Sequence, residues 1–312
     1  MTKDDLQKDI GTILDRAGFY TSEFKGQGTL SFNIVSRRDD LILLIKVLSR
    51  KEELSRPMAN DILSLARVLK ASPILVHPSS GQSPFQDGVL YIRYGIPLMT
   101  FNTLFDHLIE EVPPMVYHGP GGFFVSLDAP LLKRLREERR YSLGNLAESL
   151  GVSRKSIQLY EAGMGADIEV ALGMESFLKV PLILPLDPFS YSEELQAIRE
   201  GFGDMDSVKK EVFTHLDSLG MEVVATLKCP FDALARDVKE LLLTTIGPPS
   251  SRLVSRAENL SRVRSVTGGD SVLVVPGSVS AKNIKGTPVL RLSELTKARN
   301  VEELIALIRE RS

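Results

Sequence analysis

Apolar residues recur along this chain in two alternating rhythms. DIGTILDRAGF (9–19) has helical spacing and stops at Gly18. SFNIVSRRDDLILLIKV (31–47) then reads as two extended runs around a charged turn, and a polar-to-apolar helix follows. PILVHP (73–78) and YGIPLMTFNTL (94–104) add a further pair of strands, the second running into a short closing helix. The same succession returns near the other end as EVFTHLDSLGM (211–221), PFDALARDVKELLLTTI (230–246), SVLVVP (271–276) and KGTPVLRLSEL (285–295). The register is what argues for a copy. Asn33 to Asp232 and Leu44 to Leu243 are both steps of 199, Val76 to Val274 is 198, and Pro97 to Pro288 is 191. The drift is small and falls in loops. We read a duplication of a compact α/β unit, ordered helix–strand–strand–helix–strand–strand–helix, with a generic α/β rhythm as the competing explanation.

Two stretches rich in turn residues divide the chain. One runs from Glu111-Val-Pro-Pro through His118-Gly-Pro-Gly-Gly122, the other from about Pro181 to Asp206. The expected organisation is an α/β domain over 1–112, a linker over 113–127, a central all-α domain over 128–189, a linker over 190–206 and a second α/β domain over 207–312.

The central block contains YSLGNLAESLGVSRKSIQLYEAG (141–163). Leu143, Leu146, Ala147 and Leu150 make one apolar helix face, with Ser142 placed as its N-cap. Gly151 allows the left-handed turn that ends this helix, and Ser153 caps the next. Ile157 and Tyr160 point back to the core, which leaves Arg154, Lys155 and Gln158 outside. Small Ala147, turn Gly151 and apolar Ile157 have the spacing of a helix-turn-helix.

LLKRLREERRYSLGNLAESLGVSRKSIQLYEAG resembles the Cro/repressor-type helix-turn-helix family over about 131–180, including a following helix, DIEVALGMESFL (167–178). The arrangement, with GGFFVSLD just before the motif, also resembles a group of archaeal helix-turn-helix regulators. The resemblance implies that the helix from Ser153 to Glu161 lies in the major groove of double-stranded DNA. Arg154, Lys155 and Gln158 then stand where base-edge or phosphate contacts occur, and Ser142, Ser153 and Ser156 where phosphate is touched. Arg139 and Arg140 join these candidates; the row Arg134, Arg136, Arg139 and Arg140 also fits a solvated helix face. Two positions depart from the family pattern. Leu143 replaces a residue that is often polar, and Gly144 inside a helix costs roughly 1 kcal/mol against Ala.

Composition narrows the picture. The chain is 43% hydrophobic and 25% charged with a net charge of −2, so any nucleic-acid surface must be local. From Leu131 to Gly163 seven Lys/Arg face four Asp/Glu, a local excess of +3. Cys229 is the sole cysteine, and His77, His107, His118 and His215 are scattered, so neither a disulfide nor structural zinc is expected, and no cofactor. No signal core or membrane-length apolar run is visible, which makes a cytoplasmic location the expectation.

The flanking blocks weakly resemble the PD-(D/E)xK (restriction-endonuclease-like) fold, which implies a metal-binding Asp on one strand and an E-x-K on the next. Asn33 stands at the Asp position and Leu44 at the Glu, with Lys46 retained. In the second copy Asp232 is present, but Leu243 and Thr245 fill the E-x-K positions. Asp39 and Asp40 read as an ordinary turn, and Gly121-Gly122 and Gly268-Gly269 lack the neighbours of a phosphate loop. No intact catalytic site is visible, and we expect no enzyme.

The expectation is a sequence-specific transcriptional regulator whose flanks are non-catalytic. It would act as a homodimer, with an effector or a protein of the transcription machinery as a further partner. The flanks are expected to carry the pairing surface, because the central block has few apolar residues to spare. A metal-dependent nuclease targeted by the helix-turn-helix, and a protein-interaction module, are the rival readings.

Overall fold

The structure, a computed structural model, describes residues 2–24, 30–49, 54–79, 83–190 and 205–312. The chain divides into two compact units, Met1–Leu75 with Phe189–Ser312, and Val76–Pro188. The second is therefore an insertion within the first.

The discontinuous unit contains two α/β halves. The first has α1 (Lys3–Arg16), β1 (Tyr20–Glu23), β2 (Ile34–Arg38), β3 (Leu41–Val47), α2 (Arg56–Leu69) and the start of β4 (Ser72–His77), on which the chain leaves the unit. The insertion holds β5 (Val89–Arg93), β6 (Ile96–Thr100), α3 (Phe101–Ile109), β7 (Val116–Gly119), β8 (Gly122–Leu127), α4 (Ala129–Glu138), α5 (Leu143–Ser149), α6 (Arg154–Glu161), β9 (Ala166–Asp167), α7 (Ile168–Leu178) and β10 (Ile183–Leu184). The second half follows with α8 (Ser207–Ser218), β11 (Glu222–Ala225), β12 (Ala233–Arg236), β13 (Leu241–Ile246), α9 (Ser251–Thr267) and β14 (Asp270–Val275). It closes with β15 (Asn283–Ile284), β16 (Thr287–Arg291), α10 (Leu292–Leu295) and α11 (Val301–Arg309).

The two halves repeat one topology. Strands run β1-β2-β3-β4 in one and β11-β12-β13-β14 in the other, where β16 and β15 continue the sheet. Ile34 faces Ile45 across the second pairing and Ala233 faces Thr244, positions 199 apart on both strands. Ser22 faces Val35, and Val224 faces Leu234, so the first strands are 202 apart and the change falls in the loop before the second strand. Each half carries a first strand that the periodicity does not predict, and the second half adds the two-residue β15 as well. β1 (YTSE) and β11 (EVVA) have four residues each, too few to display a period.

These halves share a core. Phe24, Phe32, Val35, Leu44 and Leu65 pack in one cluster with Val224, Phe231, Leu234, Leu243 and Leu260, all buried. α9 lies against β1 and β2 of the first half, and α2 against β11 and β12 of the second, so each half covers the other's sheet. At about 1.5–3 kcal/mol for each fully buried large side chain, this cluster binds the halves strongly. Polar contacts reinforce it. Ser31 N donates to Lys228 O at 2.7 Å, and the buried Asp61 carboxylate accepts from Ser31 Oγ, Leu227 N and Lys228 N.

In the inserted unit the sheet order is β6-β5-β7-β8-β10, with β9 on β8. Residues 113–127, expected to be a linker, contain the β7–β8 hairpin. Pro113 and Pro114 precede it, Pro120 and Gly121 form its turn with Gly121 at φ 99°, and Gly122 at φ 150° opens β8. Punctuation that looks like a tether here marks the ends of strands. The central block is helical through α4–α7 as expected, and Val125 and Leu127 of the preceding β8 join its core with Leu132, Leu146, Ile157 and Met174. The linker expected over 190–206 lies for the most part, at 191–204, outside the described residues.

Exposed large apolar side chains concentrate in the inserted unit, at Val112, Met115, Met164, Leu172 and Leu184 among others, against Tyr20, Leu227 and Val238 in the discontinuous one. Of these, Ile92, Tyr94 and Val112 belong to the block read as the first flank, and Leu159, Met164, Leu172 and Leu184 to the central block, so exposed apolar surface lies on both. Among the described residues no helix is long and apolar enough to cross a membrane.

Candidate nucleic-acid interface

Ser142 caps α5 in extended conformation and accepts from Asn145 N at 3.0 Å. Leu146 and Ala147 are buried beneath α5, while Leu143 and Leu150 pack at the margin of the same core. At Gly151 φ is 66°, and Val152 N returns to Ala147 O at 3.0 Å, closing the turn. Ser153 then caps α6, accepting from Ser156 N at 3.0 Å, with the two hydroxyls 2.9 Å apart. Ile157 and Tyr160 anchor α6 to the core. Cap, turn and anchor together set the direction of α6.

The outward face of α6 carries Arg154, Lys155 and Gln158, all exposed, with Ser156 half-buried beside them. Arg154 folds back over α5. A Cβ built on Gly144 would lie 2.9 Å from Arg154 Nε and 3.0 Å from its Nη2. The glycine that weakens α5 locally thus makes room for the first side chain of the outward helix.

The arginine row separates into different roles. Arg136 is not on a solvated face: its guanidinium grips the Glu161 carboxylate in fork-to-fork fashion, Nη2 to Oε2 at 3.1 Å, and Nη1 donates to Tyr141 O at 3.3 Å. This ties α4 to the far end of α6. Glu161 raises the pKa of Arg136, holding it charged. Arg139 Nη1 donates to Leu178 O at 2.7 Å and so satisfies a carbonyl at the end of α7. Arg140 is exposed at φ 57°, in the turn between α4 and α5. The Arg136–Glu161 pair escapes a periodicity argument because its members are 25 residues apart. Its only signal is that the two ionic residues sit on helix faces otherwise turned inward.

The nuclease-like positions of the flanks are filled by folding contacts. Asn33 Oδ1 accepts from Val47 N at 3.0 Å, and Asp232 Oδ2 accepts from Ile246 N at 2.7 Å, the same bond in both copies. Asp232 also meets Lys209 at 2.7 Å and Arg256 at 2.6 Å. Leu44 and Leu243 lie in the core shared by the halves, Lys46 is fully buried with Nζ donating to Leu30 O, and Thr245 is fully buried. Among the described residues no group of three or more His, Cys, Asp or Glu could hold a metal ion.

A helix-turn-helix of Cro/C1 type, set within α/β elements of PD-(D/E)xK kind, is the class of protein that this architecture defines. Family models agree: one described as "PD-(D/E)XK superfamily domain" matches residues 3–114, and one described as "Helix-turn-helix" matches 132–184. A protein of Methanocella arvoryzae is 33% identical, covering 100% of this chain and 97% of the relative. A Pyrococcus horikoshii protein is 36% identical over 99% of this chain and 98% of its own length. Both carry the name "Putative HTH-type transcriptional regulatory protein". The chain belongs to this family of HTH-type transcriptional regulatory proteins.

Proposed function

We propose that the protein is a sequence-specific DNA-binding regulator that reads the major groove with the helix from Ser153 to Glu161. The observation that carries this reading is an exposed polar face, Arg154, Lys155 and Gln158, on a helix whose direction is fixed by a cap, a glycine turn and an ion pair. Arg154 and Gln158 have the hydrogen-bonding groups to read guanine and adenine, and Lys155 to meet phosphate. Ser142, Ser153 and Ser156 would turn from capping toward phosphate oxygens, and Arg140 would add a phosphate contact. Arg139 is assigned a smaller part, since one of its donors is already committed to Leu178 O.

A single motif covers only a few base pairs, so the protein would act as a two-fold dimer. Exposed apolar residues at the first flank's Ile92, Tyr94 and Val112 support a pairing surface that includes that flank. The flanks are a nuclease-like scaffold without its chemistry, supported by the burial of Leu44, Lys46 and Leu243 in or beside a folding core. A cytoplasmic location accords with a chain that meets DNA there. The test is to select bound fragments from genomic DNA with the full-length protein, then titrate the recovered site at several salt concentrations. A steep salt dependence with discrimination over scrambled duplex is expected. Equal affinity for every duplex would overturn the reading.

A further inference from the structure

The two halves of the discontinuous unit meet around a cleft of about 420 Å³, lined by residues that the duplication relates. Arg37 and Arg236 both line it and are 199 residues apart, the offset of β2 against β12. So do Ile42 and Leu241, and so do Asp40 and Lys239, each pair at the same offset. Equivalent positions of two copies converge on one space, as they do at the axis of a two-fold assembly.

Charge in this cleft is unbalanced. Arg309 lines it too, but is satisfied by Glu240 at 2.7 Å and Asp270 at 2.8 Å. Arg37 gives one N–H to Asp39 O at 2.8 Å, and Arg236 gives one to Val68 O. Neither is ion-paired among the described residues, and Lys239, where the first copy has Asp40, has no carboxylate partner there either. With Asp40, and with two carboxylates sharing the one charge of Arg309, the cleft keeps a net excess of one positive charge. Guanidinium forks match phosphate oxygens in pairs, and the volume lies in the range of small-molecule sites. Ile42, Leu69 and Leu241 supply an apolar wall for the body of a ligand.

We propose that this cleft binds a phosphorylated small molecule of nucleotide size, with its phosphates on Arg37, Arg236 and Lys239. The site stands on the duplicated halves and does not rest on the DNA-binding reading. Isothermal titration of the full-length protein, without DNA, with ATP, GTP, ADP, pyrophosphate, inorganic phosphate and adenosine tests it. Saturable binding of a phosphorylated probe and none of adenosine is expected. Arg37→Gln and Arg236→Gln should each weaken binding by about tenfold or more, to similar extents because the positions are equivalent. Nucleotide binding well above pyrophosphate supports an organic body against the apolar wall; equal binding supports the phosphate cradle and assigns the ligand as a free anion. Lys239→Gln, at an exposed position, provides a weakened variant should the arginine changes alter folding. No binding by any phosphorylated probe up to about millimolar concentration would overturn the proposal. Wild-type affinity in all three folded variants would do the same.

Discussion

Replacing Arg136 with methionine keeps most of the aliphatic stem in place and removes the guanidinium. The side chains of Arg136 and Glu161 are only 14% and 9% exposed, so the change leaves a carboxylate facing the helix-turn-helix interior. Orphaning a buried charge costs about 3–5 kcal/mol. Here Arg136 also loses its bond to Tyr141 O, while residual exposure lets Glu161 reach some water, so about 2–4 kcal/mol is expected. Glu161→Gln retains an acceptor and should cost about 1–2 kcal/mol. The double variant Arg136→Met/Glu161→Leu removes both charges and should recover much of the loss, to within about 1–2 kcal/mol of the parent. Urea unfolding followed by circular dichroism, together with amide exchange along α6, isolates the unit that carries the pair. Costs below about 0.5 kcal/mol for both single changes would refute a role in fixing α6. Additive losses in the double variant would refute a direct coupling between the two residues.

Arg154→Ala is expected to lose about 1–3 kcal/mol of specific binding and to relax preference at one base pair, read by titrating matched and single-mismatch sites. Gly144→Ala should raise stability by up to about 1 kcal/mol in urea titrations while weakening specific binding, because the new Cβ displaces Arg154; a rise in both would argue against that contact. Plasmid and short duplexes incubated with the protein in Mg²⁺ or Mn²⁺ should stay intact, and cleavage abolished by Lys46→Ala would restore the nuclease alternative. Arg311 beside Glu294 holds the Glu294 carboxyl down to about 2 from the usual 4.5. A depressed carboxylate stabilises the fold above about pH 4.5 and loses that contribution as the pH falls toward 2, so Glu294→Gln should flatten the acid limb of the stability curve in this window.

The helix-turn-helix was legible because its elements are local. Ser142, Ala147, Gly151, Ser153 and Ile157 each act within a turn or two of their own position, and each takes the role that its spacing implies. The duplicated flanks were legible through register, which survives where side-chain identity does not: Asn33 and Asp232 make one bond with different chemistry. Long-range pairings were hidden. Nothing periodic marks Arg136 for Glu161, Asp61 for Lys228, or Arg37 and Arg236 for a common cleft. The β7–β8 hairpin was missed because its prolines and glycines are those of a tether, and Val125 and Leu127 show their burial only against α4–α7.

The insertion of one unit inside another has a consequence for synthesis. When Leu75 leaves the ribosome, Phe24, Phe32 and Leu44 have no Val224, Phe231 or Leu243 to pack against. At about 5–20 residues per second, the intervening stretch alone takes on the order of ten seconds to appear. During that interval the inserted unit emerges in full, while the first half waits with its apolar face uncovered. The α/β frame is thus the slow, high-contact-order part of the molecule. A nascent chain stalled before α9 would expose an unpaired sheet, the substrate on which chaperones act.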